Sequence, residues 1–151
     1  MNSVLMFVLL CVQGIHLQDT STGPVAVKTT YTRASTGPVI IREVCPKGKC
    51  VMLENISTAQ KDVNLDGWVL RMTIDEERQY NYNFRSFNLN AGKRVKIFSR
   101  DSASNAGLND LIFREGNWRE GIKVNTTLTN DKGEEMASHI KNIVLIDNRY
   151  K

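Results

Sequence analysis

The sequence predicts an all-β domain of the β-sandwich class. From Pro38 onward, apolar residues recur with a period of two, which is the period of a strand with one buried face. Short turns containing Gly, Asn or Asp separate these periodic segments at close spacing, as is typical of sandwiches. No segment carries the sustained heptads of a coiled coil.

The predicted strands follow one another through short turns. The first two, residues 39–45 and 50–55, flank a turn at residues 46–49, where Pro46 sets φ and Gly48 is free to take a positive φ. The other predicted strands are residues 68–74, 80–84, 94–98, 110–113, 122–129 and 134–140. The candidate core residues on them are Trp68, Val69, Tyr82, Phe84 and Ile97.

The first residues differ from the rest. Residues 4–12 form an unbroken apolar run, which is too short for a bilayer-spanning helix but matches the apolar region of a secretory signal. No Lys or Arg precedes the run, so a stray translated segment or a fragment of a longer chain is the alternative. We therefore assign residues 1–18 as an apolar leader, either a candidate signal peptide or a non-native start.

A polar segment follows the leader. Residues 19–37 are rich in Ser, Thr, Gly and Pro, and the sequence Ser-Thr-Gly-Pro-Val occurs at residues 21–25 and again at 35–39. Gly-Pro disfavours helix, and clustered Ser and Thr hydrogen-bond to their own backbone. We expect an extended joint at residues 19–37 and a folded domain at residues 38–148.

Composition excludes several classes of protein. The 151 residues are 41% hydrophobic and 24% charged, which suits one globular domain and excludes disorder of the whole chain. A net charge of +4 is too small to indicate a nucleic-acid partner. Three Cys are too few for a disulfide scaffold, and two His are too few for most zinc sites.

One motif resembles a metal site. Residues 62–67, Asp-Val-Asn-Leu-Asp-Gly, fit the first half of a calcium loop, but Thr73 stands where the bidentate Glu should be. A polar turn between strands is the favoured interpretation, and a metal enzyme using Asp62, Asn64 and Asp66 is the alternative. We predict no catalytic residue, no metal and no cofactor, since neither His16 nor His139 has a nucleophile or ligand partner at useful spacing.

Two cysteines flank the first turn. Cys45 and Cys50 would lie near each other across the hairpin and could form a disulfide if the chain is secreted. In a reducing compartment they are two small apolar residues.

Four residues are candidates for an interaction surface. Arg94 and Lys96 would share one strand face, and with Arg85 they could form a small positive patch. The alternative is a charged outer face that protects a sheet edge from aggregation. Trp118 follows a Gly-Asn pair and could lie in the core or at an interface, where aromatic residues are favoured anchors.

Taken in order, several segments resemble the lamin tail domain, the immunoglobulin-like module of nuclear lamins and of invertebrate cytoplasmic intermediate filament proteins. The segments that carry the resemblance are residues 41–55, 67–68, 82–84, 89–97, 110–113 and 130–137. The resemblance implies an immunoglobulin-like β-sandwich without catalytic activity, used as a protein-interaction module on filaments. The implied partners are filament subunits or filament-associated proteins, with no specific nucleic acid and no membrane span.

The sequence also departs from the family pattern. There is no rod segment, no basic import cluster before the domain, and no prenylation box at residues 147–151. We therefore expect the cytoplasmic branch rather than the nuclear lamina, and a truncated or alternatively started product of an intermediate filament gene. A secreted β-sandwich binding protein is the second hypothesis, based on the leader, a possible Cys45–Cys50 bridge and two glycosylation acceptor sequences at residues 55–57 and 125–127.

Overall fold

A computed structural model describes residues 6–20 and 23–147. It contains twelve strands and two 3₁₀ turns, the latter at Pro46–Gly48 and Arg100–Asn105. In chain order, β1 to β12 are Met6–Thr20, Gly23–Thr36, Val39–Val44, Cys50–Asn55, Val63–Asn64, Val69–Ile74, Arg78–Asn83, Asn88–Leu89, Arg94–Ser99, Leu111–Phe113, Lys123–Thr129 and Glu135–Asp147.

The strands form a sandwich of two main sheets. One has six strands in the order β1-β2-β12-β11-β6-β7, the other has four in the order β10-β9-β4-β3, and β5 pairs with β8. Strands β9 and β10 run parallel, and the other paired strands run antiparallel. This confirms the predicted immunoglobulin-like β-sandwich.

The core lies between the two sheets because alternate residues on each strand point inward. In β11 the burial alternates strictly, and Val124, Thr126 and Leu128 are the buried positions. Leu53 and Ile97 of the four-stranded sheet are completely buried in the same cluster. The period-two pattern in the sequence thus identified the strands of both layers.

The predicted core residues divide into two groups. Trp68, Phe84 and Ile97 are buried, and Tyr82 is half-buried against the cluster. Val69 is outside the core, because the alternation along β6 buries its neighbours Leu70, Met72 and Ile74 instead. Two apolar residues stand side by side at 69 and 70, so the sequence alone does not give the phase of this strand.

The structure differs from the expectation of a separate joint. Residues 25–35 of β2 pair with β12 along their length, and β1 pairs with β2 as an antiparallel hairpin. The Gly-Pro pairs lie at the two ends of β2, while its middle is rich in the β-branched residues that favour strands. Residues 1–5 of the predicted leader, residues 21–22 of the predicted joint and residue 148 of the predicted domain lie outside the described residues.

Within the described ranges, no helix is long and apolar enough to cross a bilayer.

Candidate interaction surface

Arg94 and Lys96 lie on β9 at alternate positions, so both project from the outer face of the four-stranded sheet. Arg94 is exposed and Lys96 is half-buried, while Val95 between them is buried in the core. The backbone N–H of Lys96 donates to Asp110 Oδ1 at 3.3 Å, which ties the β9 backbone to the loop before β10.

A carboxylate links two arginines on this outer face. Glu54 lies on β4, and its Oε1 is 3.4 Å from Arg42 Nε while its Oε2 is 3.3 Å from Arg94 Nε. Glu54 is opposite Arg94 in the β4–β9 register. Arg42 and Glu54 were not among the surface residues predicted from sequence. The hairpin of β3 and β4 brings them together, but its register shifts between Ile41 and Glu43, so the turn at Pro46–Gly48 alone would not have placed Arg42 beside Glu54.

These two ion pairs leave the arginines accessible. The side chains of Arg42 and Arg94 are 47% and 51% exposed, whereas that of Glu54 is 15% exposed. Exposed ion pairs contribute at most about 1 kcal/mol each to folding. The outer face therefore presents guanidinium groups held in place by Glu54.

Arg85 lies on a different part of the chain from Arg94 and Lys96. It is exposed in the loop between β7 and β8, where the next residue, Ser86, donates its backbone N–H to Asp66 Oδ1 at 2.9 Å. The positive patch predicted from sequence is thus divided between a strand face and a loop.

Trp118 is not on the surface. It is 3% exposed, and its ring stacks on Phe113. Trp118 was a candidate for the core as well as for the surface, and the structure corrects its inclusion among the surface residues. The physical reason is that the loop after β10 folds back over the end of the sandwich, where the indole fills space beside Phe113.

The side chains in the segment that resembles a calcium loop accept hydrogen bonds from backbone N–H groups. Asp62 Oδ1 accepts from the backbone N–H of Ala91, and Asn64 Oδ1 accepts from that of Asp66, each at 2.9 Å. Asp66 Oδ1 accepts from Ser86 in the same way. In the part of the chain that the structure describes, no group of three or more His, Cys, Asp or Glu side chains could hold a metal ion.

Cys45 and Cys50 lie side by side across the turn between β3 and β4, with their Cα atoms 5.0 Å apart. The backbone N–H of Cys45 donates to the carbonyl of Cys50 at 2.8 Å, and this hydrogen bond closes the turn.

Burial changes the acidity of Tyr82, which packs against the core. It raises the pKa of the Tyr82 hydroxyl above its usual value, and the positive charge of Arg114 opposes this shift. The Tyr82 ring also packs edge-to-face on Phe84, with centroids 4.9 Å apart.

Comparison with known proteins gives one consistent family. A family model described as Lamin Tail Domain matches residues 32–142. The chain is 37% identical over 123 residues to the 70 kDa neurofilament protein of Doryteuthis pealeii, covering 81% of this chain and 19% of that protein. It is 36% identical over 121 residues to intermediate filament protein ifa-1 of Caenorhabditis elegans, covering 79% and 21%.

A third relative agrees with these two. Intermediate filament protein ifa-2 of Caenorhabditis elegans is 39% identical over 116 residues, covering 76% of this chain and 20% of that protein. The chain thus spans about a fifth of the length of these relatives. Their names are those of structural filament proteins, and they give no support to the secreted alternative. The chain belongs to the lamin tail domain family.

Proposed function

We propose that this chain is a non-enzymatic interaction module in the tail of a cytoplasmic intermediate filament protein. Its partners are filament subunits or filament-associated proteins. The observation that carries the proposal is the family membership, together with relatives that are themselves named as neurofilament and intermediate filament proteins.

The chemistry of the described residues fits a binding role better than a catalytic one. Asp62 and Asp66, the carboxylates of the calcium-loop resemblance, already accept backbone N–H groups in turns. The outer face of the four-stranded sheet instead presents Arg42, Arg94 and Lys96 beside Glu54. Arginine is favoured at protein interfaces because its planar fork binds carboxylates and backbone carbonyls.

We propose that Arg94 and Lys96 form the centre of this contact surface and that Arg85 makes a separate contact from its loop. Trp118 has no part in the contact because it is buried.

Co-sedimentation with filaments assembled from a full-length intermediate filament protein tests the proposal. We expect the wild-type chain to pellet with the filaments and the double variant Arg94→Glu/Lys96→Glu to pellet at least about tenfold less, because like charge at an interface opposes association. Arg78→Glu is the matched control, since Arg78 is exposed on β7 in the other sheet.

The two parts of the proposal fail differently. If the wild-type chain stays in the supernatant, the filament role is contradicted. If the wild type pellets and the double variant pellets equally well, the filament role stands and the Arg94/Lys96 surface is removed from it.

A further inference from the structure

An open cleft of about 530 Å³ lies where the two sheets meet at one side of the sandwich. Its walls are strands β2 and β12 of the six-stranded sheet and strands β3, β4 and β9 of the four-stranded sheet. Arg33 of β2, Arg42 of β3 and Arg94 of β9 all line it, with His139 of β12. Three guanidinium groups from three strands therefore converge on one space.

Register places Arg33 beside His139. The two residues are directly opposite each other in the β2–β12 pair, so their side chains lie on the same face of the sheet. The ring of Tyr31, two residues before Arg33, packs on the imidazole of His139 with centroids 5.6 Å apart. This packing holds the imidazole at the wall of the cleft.

His139 carries an unused hydrogen-bonding atom. The residue is 1% exposed, yet its Nδ1 has no hydrogen-bond partner among the described residues. Native proteins seldom leave such an atom unpaired, but its burial also closes it to a ligand in the cleft, so His139 forms part of the wall and is not a binding group.

The charges in the cleft select the kind of ligand. The lining of the cleft holds three arginines and one carboxylate, that of Glu43, while Arg42 and Arg94 are also paired with Glu54; the lining is therefore positively charged. His139 adds no charge near neutral pH, because burial, and then the charges of Arg33 and Lys141, lower its pKa to about 4. A positive lining favours an anion, and the pairing of Arg42 and Arg94 with Glu54 shows that these guanidinium groups bind a carboxylate here.

The cleft also borders a free strand edge. Strand β3 ends the order of the four-stranded sheet and has no strand partner on its outer side within the described residues. Extended peptides bind to such edges through main-chain hydrogen bonds, while neighbouring pockets take their side chains. This favours a peptide as the source of the carboxylate.

We propose that this cleft binds a Glu or Asp side chain of an acidic, extended peptide segment in a partner protein. Arg33 and Arg42 donate to the carboxylate from their guanidinium groups, and His139 forms the wall of the cleft beside Arg33. The inference deepens the proposed interaction role, and rests on it only in taking the partner to be a protein.

A fluorescence anisotropy titration with labelled hexaglutamate tests the cleft without filaments. We expect binding by the wild-type chain and no binding of hexalysine. Arg33→Gln should weaken hexaglutamate binding about tenfold, since it removes a charge-assisted hydrogen bond. Arg78→Gln, which removes the same charge from the far strand β7, should leave binding within about twofold.

NMR of the histidine side chains gives a second measurement. The ¹⁵N resonance of His139 Nδ1 should shift on saturation with hexaglutamate, and the shift should be lost in Arg33→Gln. If that variant does not fold, as judged by its thermal melt, Arg42→Gln replaces it because Arg42 is half exposed.

Several outcomes would overturn the inference. Equal weakening by Arg33→Gln and Arg78→Gln would show a general charge effect, and an unmoved His139 resonance would place the peptide elsewhere. Tighter binding of inorganic phosphate than of acetate would contradict the carboxylate assignment. Because no filament is present, failure here leaves the co-sedimentation result untouched.

Discussion

The indole of Trp118 lies face to face with the ring of Phe113, with ring centroids 5.3 Å apart and planes inclined by 13°. Phe113, on β10 of the four-stranded sheet, in turn packs edge-to-face on Tyr80 of β7 in the six-stranded sheet, with centroids 6.2 Å apart. The three rings therefore connect the two layers of the sandwich.

Truncating Trp118 should destabilise the domain strongly. Trp118→Ala removes a buried indole and leaves a cavity beside Phe113, so we expect the free energy of unfolding to fall by about 3–5 kcal/mol. Urea unfolding followed by circular dichroism measures the loss. Arg85→Ala, at an exposed loop position, should change stability by less than about 0.5 kcal/mol. A loss below 1 kcal/mol in Trp118→Ala would contradict the central role of these rings.

Gly48 should tolerate substitution less well than Gly92. Both have positive φ, +64° and +76°, so alanine at either position costs about 1–2 kcal/mol of backbone strain. A Cβ at Gly48 would also collide with the backbone carbonyl of Trp118, whereas a Cβ at Gly92 meets nothing within 4 Å. We expect Gly48→Ala to lower the melting temperature clearly more than Gly92→Ala, and equal effects would argue against the close approach of Gly48 and Trp118.

Asn55 should be essential to the loops around it. It is completely buried, and its Nδ2 donates to the carbonyls of Lys61 and Leu89, each at 2.9 Å. Its Oδ1 accepts from the backbone N–H of Ser57 at 3.0 Å. Asn55→Ala leaves these backbone groups unpaired, and we expect a loss of about 2–4 kcal/mol in chemical denaturation.

Asn88→Ala serves as the control for Asn55→Ala. Asn88 is exposed and makes its side-chain hydrogen bond to Asn90 Oδ1 at the surface, so its loss should cost less than about 1 kcal/mol. Similar losses for the two variants would contradict the structural role of Asn55.

His139 should make stability depend on pH. Its pKa is lowered from 6.5 to about 4 in the folded chain, first by burial and then by the charge of Arg33, so the unfolded chain binds its proton more readily. The stability contributed by neutral His139 is complete above pH 6.5 and is lost as the pH falls toward 4.

Between pH 7 and pH 5 this effect should remove about 2 kcal/mol of stability from the wild type. His139→Gln has no titrating group at this position, so its stability should fall less over the same interval. Denaturant unfolding at both pH values gives the comparison, and parallel decreases in the two proteins would refute the assignment.

The sequence by itself determined the secondary structure of most of the domain. β4 at Cys50–Asn55 has its predicted bounds, and β3, β9 and β11 differ from theirs by one residue at one end. This succeeded because a strand with one buried face leaves a period of two in the sequence, and because Pro and Gly mark the turns between strands. The same ordered segments carried the family resemblance.

Only the tertiary structure decided which side chains meet. Val69 and Leu70 are both apolar, and Leu70 lies in the core because β6 packs that face against the opposite sheet. Whether Trp118 lies in the core or on the surface depends on its loop, which packs the indole on Phe113. Arg33 and His139 are distant in the chain and become neighbours only through the β2–β12 register. Local periodicity encodes which face of a strand is apolar, whereas non-local pairing depends on how complete strands pack together.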